Sequence, residues 1–147
     1  MRRAVVVVLS AATLALPTAD AVAATTAKAA PKKKVVNKWK SFTGIPGSAD
    51  RWGNVQVTIV VKKTTTTNLT TKKTTVKRRI TGVKVPVYPN HTDRSVFINE
   101  QALPYLIQET IHAQSTAIDI ISGATYTSQG FDESLQSAIL KARAWKS

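Results

Sequence analysis

The stretch Asp119-Ile120-Ile121-Ser122-Gly123-Ala124-Thr125-Tyr126-Thr127-Ser128 decides how this chain is read. An extended run, Thr116–Ile121, enters a turn of small residues and opens into a helix. The helix is marked by the apolar stripe Phe131, Leu135, Ala138, Ile139 and Ala142, which recurs at the 3.6-residue period. Ser128 is the expected cap, and Asp132 and Glu133 are expected in the first turn, where carboxylates are favoured. Lys141, Arg143 and Lys146 complement the dipole at the other end. Gly123 and Ala124 let a ligand approach the backbone closely. Ser122, Thr125, Thr127 and Ser128 crowd hydroxyls around a helix start, which makes a good phosphate site. An ordinary capped helix with a hydroxyl-rich loop is the competing reading.

Outward from this stretch, Ile98, Ala102, Leu103, Leu106, Ile107 and Ile111 predict an earlier helix, with Asn99 as its N-cap and Pro104 late for a first turn. Upstream, Val55–Val61 is β-branched and alternating, and Thr74–Val87 contains a second strand. Gly82 predicts a bulge, and Pro86 an edge position. Gly44, Pro46, Gly47 and Gly53 punctuate the approach to the first strand. Between the strands, Lys62-Lys63-Thr64-Thr65 is echoed by Lys72-Lys73-Thr74-Thr75, which predicts a long polar hairpin or loop. Asn68-Leu69-Thr70 and Asn90-His91-Thr92 fit the glycosylation pattern. The order strand, strand, helix, helix predicts a single α+β domain, a small antiparallel sheet packed with two main helices.

The chain has 147 residues and no cysteine. Disulfides, thiolate metal sites and a cysteine nucleophile are therefore excluded, and with two histidines so is a His-rich metal centre. Residues 1–23 read as a signal peptide: Arg2 and Arg3, an apolar run from Ala4 to Leu16, Pro17, then Ala21-Val22-Ala23. The run is shorter than the ~20 residues a membrane span needs. The expected location is extracytoplasmic, secreted or attached to the cell envelope.

Charge is segregated. Residues 24–84 carry fifteen Lys/Arg against one acid, Asp50; residues 85–147 carry four against six acids. Residues 24–40 read as a basic flexible linker and residues 41–147 as the folded domain. The basic half is expected to contact anionic envelope material. Nucleic acid is not an expected partner, because the basic half lacks interleaved aromatics for base stacking and the chain is exported.

The stretch resembles the signature of the FMN-binding domain family: Asp, two residues, Ser or Thr, Gly, Ala, Thr. Asp119, Ser122, Gly123, Ala124 and Thr125 match it. Phe42–Gly44, Trp52–Val57, Ile98–Leu106 and Ser134–Ile139 are similar to the small exported branch, so the resemblance spans roughly residues 41–142. Relatives include periplasmic subunits of sodium-translocating NADH:quinone and ferredoxin:NAD oxidoreductase complexes. The resemblance implies FMN joined through its phosphate to Thr125 by a separate flavin transferase that uses FAD and Mg²⁺. It implies that Asp119 helps the transferase recognise the site; local turn bonding is its alternative role. Thr127 and Ser128 compete as acceptors. Tyr126 either faces the flavin or packs, and Trp52, Tyr88, Pro89 and Asn99 are further pocket candidates. Trp39 reads as packing and His112 as a surface or capping residue. The implied role is an electron carrier between a membrane donor and an extracytoplasmic acceptor, rather than a complete enzyme. The alternatives are a cofactor-free module binding an anionic envelope polymer and a flavin-dependent reductase of a small substrate.

Overall fold

The computed structural model describes residues 30–146. The expected signal peptide and the first residues of the expected linker lie outside the described residues. From Lys32 on the chain forms one unit. Its strands are β1 (Lys33–Thr43), β2 (Gly47–Ser48), β3 (Asn54–Asn68) and β4 (Thr74–Val87). Its helices are α1 (Asp93–Ala113) and α2 (Thr125–Arg143). The sheet is antiparallel with β3 at its centre: β1 and then β2 pair along one edge, and β4 pairs along the other. This is the expected α+β domain.

Alternation in β3 sets the layers. Val55, Val57, Ile59 and Val61 are buried on one face, where they meet Phe131, Leu135 and Ala138 of α2. Successive strand residues point to opposite faces, so every second residue of β3 stays off this core. Lys63 continues the buried row, with its ammonium 5.0 Å from the centre of the Trp145 ring. Burial, then the charges of Arg78 and Lys38, pull its pKa below the ordinary lysine value.

The expected linker ends early. From Lys33 the segment is β1, paired residue by residue with the Lys/Thr extension of β3, from Lys33 opposite Asn68 to Thr43 opposite Thr58. Its order comes from backbone pairing with a distant strand, which leaves no apolar period in its own sequence. The Thr/Lys repeat falls in the outer half of a long hairpin, whose turn is closed by Asn68: its side-chain oxygen accepts from the N–H groups of Thr70 and Thr71.

Gly82 lies beside a bulge. Val60 pairs with Gly82 and Val61 with Ile80, so Thr81 is the extra residue. Next to this irregularity the Gln114 amide acts as a substitute strand. Its oxygen accepts from Ile80 N–H at 2.7 Å and its nitrogen donates to Ile80 O at 2.9 Å. A second register shift takes up Pro86 on β4, which among the described residues has β3 as its one partner strand.

Both helix starts differ from expectation. α1 begins six residues before Asn99, capped by Thr92, whose hydroxyl accepts from Ser95 N–H at 3.1 Å. Pro104 is inside α1. The sequence reading missed this turn because Ser95 and Asn99, the buried residues that open α1, are polar and break the apolar period. α2 begins at Thr125 after Ala124, with no side-chain cap and no acid in its first turn. Ser128 lies inside the helix, and Asp132 and Glu133 fall beyond the first turn.

Asp132 is half-buried, and one of its carboxylate oxygens has no hydrogen-bond partner. Burial, then the neighbouring Glu133, raise its pKa above the ordinary carboxylate value. The folded state thus holds this proton more tightly than the unfolded chain, so stability falls as pH rises from the ordinary carboxylate range through the raised value. Asp132→Asn should raise the melting temperature at neutral pH and leave it nearly unchanged at low pH, removing the part of the fall in melting temperature that Asp132 causes as pH rises through that range.

Candidate functional site

The small-residue turn is built by its own polar groups. Gly123 sits at φ +83°, a left-handed conformation that favours glycine, and a β-carbon there would meet open space. Ala124 N–H donates to Ile121 O at 3.0 Å. The Ser128 hydroxyl donates back to Ala124 O at 2.9 Å and accepts from Ile121 N–H at 3.1 Å. Ser128 is thus the internal brace of the turn, 2% exposed, rather than a cap.

Beside the turn lies a cavity of about 390 Å³, within the size range of small-molecule sites. Gly123, Ala124, Thr125, Tyr126 and Thr127 form one wall; Ile98 and Asn99 of α1 face it, with Pro89 and Trp52 from the loops. Arg51 and Arg94 also line it. The Arg51 guanidinium lies 5.2 Å from the centre of the Trp52 ring, and His91 stacks on Trp52 with centroids 6.4 Å apart. A shallower hollow of about 200 Å³ continues past Gly123 and Ala124 to Ser122, Phe97 and Tyr105.

Asn99 is the keystone of the wall. It is 1% exposed; its amide donates to Pro89 O at 2.6 Å and accepts from the Thr127 hydroxyl at 2.8 Å. This chain ties the entry loop, α1 and α2 together. Asn99→Ala leaves two buried polar groups unpartnered at about 1–3 kcal/mol each. It should therefore cost about 2–4 kcal/mol in a denaturant titration.

The sequence candidates thus separate. Thr125, Tyr126, Thr127, Gly123, Ala124, Asn99, Pro89 and Trp52 line one cavity. Ser122 lies round the turn in the shallower hollow. Tyr88 packs against the hydrophobic core and does not line the cavity; it follows β4 directly and shares that strand's inward side. Asp119 is exposed outside the cavity, its N–H donating to Glu109. Trp39 is exposed on β1 rather than packed in the core. His112 is exposed in the last turn of α1.

Sequence reasoning missed Arg51 and Arg94. Neither belongs to an apolar pattern. The signals were indirect: Arg51 precedes Trp52, and Arg94 sits inside the Thr92–Ser95 capping pair that starts α1.

A family model described as the FMN-binding domain matches residues 50–140. The chain belongs to this family. No curated protein matches it. FMN is therefore the ligand against which the cavity must be tested, and the residues fit. A helix start without a side-chain cap or an acid offers N–H groups and a positive dipole end, and two guanidiniums line the same space. Trp52 supplies an aromatic surface and Pro89 and Ile98 apolar ones. The FMN-binding domain here thus pairs cationic groups for a phosphate with flat apolar walls for a ring system.

Proposed function

We propose that the protein is an exported electron carrier holding FMN covalently through a phosphoester to Thr125. The observation that carries this reading is the different state of the four hydroxyls. Ser128 is buried in two hydrogen bonds, Thr127 is buried and donates to Asn99, and Ser122 lies outside the larger cavity. Thr125 is exposed at the first position of α2 and lines the cavity.

A threonine hydroxyl is a weak nucleophile without an adjacent base. The cavity lining contains no Asp, Glu or His, so a separate transferase is the appropriate catalyst. With FAD as donor, the Thr125 oxygen bonds to the phosphorus on the FMN side. The phosphoanhydride breaks, AMP leaves, and the hydroxyl proton is lost. The added mass is FMN less one water. The exposed Asp119 is the element the transferase reads.

Bound FMN supplies the redox chemistry. The protein's share is to hold and present it. The first N–H groups of α2, with Arg51 and Arg94, hold the phosphate; Trp52 and Pro89 bound the ring; Asn99 and Thr127 keep the wall in place. A covalent tether suits a protein that cannot draw on cytoplasmic flavin, as the signal-peptide pattern of residues 1–23 implies. Donor and acceptor are a membrane redox protein and an extracytoplasmic one.

The test is an intact mass of the processed chain after co-production with the transferase in a flavin-replete host, followed by peptide mapping. One FMN less water on the Thr125 peptide is the expected result. An unmodified mass, or flavin mapped to Thr127 or Ser128, overturns the assignment.

A further inference from the structure

β1, β3 and β4 contain no Asp or Glu. Cross-strand partners share a face, so the pairing register sorts the basic residues. Val55 to Val61 define the face covered by α2. On the opposite, open face, Lys62 stands between Trp39 on β1 and Arg79 on β4. Lys33 and Lys77 share this face towards the hairpin tip, and Lys84 shares it towards the other end. Two apolar side chains emerge among these cations. Val35 is 55% exposed and Trp39 59%, with the Lys62 ammonium 5.4 Å from the Trp39 ring centre.

We infer that this open face of the sheet seats the protein on an anionic lipid bilayer. The charge is spread across a three-stranded sheet and is not gathered into a groove, a shape that meets a surface rather than a single polymer chain. Trp39 and Val35 project from the same side of β1. An aromatic and an aliphatic group ringed by lysines match the headgroup region, where amphipathic rings and basic side chains both reside. A soluble polyanion would use the cations and leave these two groups in water. Each basic residue near an anionic leaflet contributes about 1 kcal/mol, roughly fivefold in partitioning. The inference stands on the sheet alone, and FMN loading does not enter its test.

The experiment is co-sedimentation of the processed, exported chain with vesicles of phosphatidylglycerol and phosphatidylcholine, against phosphatidylcholine alone. Binding to the anionic vesicles is expected, with loss as salt rises from about 0.1 to about 1 M. Lys62→Glu with Arg79→Glu should weaken it by about 25-fold or more. Lys34→Glu with Lys38→Glu changes net charge equally on the opposite face and should retain most of the binding. Trp39→Ala, at an exposed site that leaves the fold intact, should weaken binding several-fold, roughly in line with loss of one interfacial aromatic anchor. Equal loss in both double variants overturns the assignment to this face. Unaltered binding in Trp39→Ala, retention on long-chain polyphosphate without vesicle binding, or no binding at all each overturns the bilayer reading.

Discussion

Thr125→Ala should take the protein from one covalent flavin per chain to none, with its fold unchanged. The side chain is exposed, so its removal should alter stability by no more than about 0.5 kcal/mol. The effect on attachment should be all-or-none because the two neighbouring hydroxyls on α2 are already committed and Ser122 lies outside the larger cavity. Thr127 would have to abandon Asn99, leaving a buried amide oxygen without its donor. Ser128 would have to release both bonds that shape the turn. Thr125→Ser keeps a hydroxyl at the same place and should restore the adduct. Intact mass and in-gel flavin fluorescence read both variants, and a thermal melt of the alanine variant checks its fold. Adduct on the alanine variant would mean that another hydroxyl is the acceptor.

The second large effect belongs to Gly47. A β-carbon there would stand 2.0 Å from the carbonyl oxygen of Gly130 and 2.8 Å from its carbon. Gly44 is similar, with Ser134 O at 2.0 Å. Both obstacles are helix backbone, so no side-chain rotation relieves them; α2 itself must back away. That movement would open the core around Phe131 and Leu135 and disturb Ser134, whose hydroxyl accepts from Val57 N–H at 2.8 Å. Gly47→Ala should therefore cost about 3 kcal/mol or more, a large share of the stability of a small domain. Gly82→Ala is the matched control. Its β-carbon would lie 3.7 Å from the Val60 side chain, an ordinary contact, and the loss should be small. Urea titrations of the two variants measure the contrast.

These glycines mark where sequence reading stopped. Gly44 and Gly47 stand where turn punctuation is common, and local rules offer no other reason for them. Their role is contact with a helix more than eighty residues away, which no local pattern records. Asn99 is a similar case. An asparagine at the edge of an apolar stripe looks like a cap; here it is a buried bracket between Pro89 and Thr127. By contrast the bulge beside Gly82, the apolar stripe of α2 and the alternation of β3 were legible. Each is a repeat or an exception within a few residues, and local geometry alone produces it.

The sequence by itself determined the α+β architecture, the two amphipathic helices, the small-residue turn at Gly123 and the family to which the chain belongs. These follow from periodicity, from backbone preferences and from a contiguous motif. The tertiary structure alone decided that β1 extends back to Lys33, that Arg51 and Arg94 line one cavity with the start of α2, and that Thr125 is the exposed threonine of that cavity wall. It also decided that the cations of three strands share an open face. Each of these depends on which residues become neighbours after the chain closes over long separations, and register and packing set that distance rather than any property of the residues one by one.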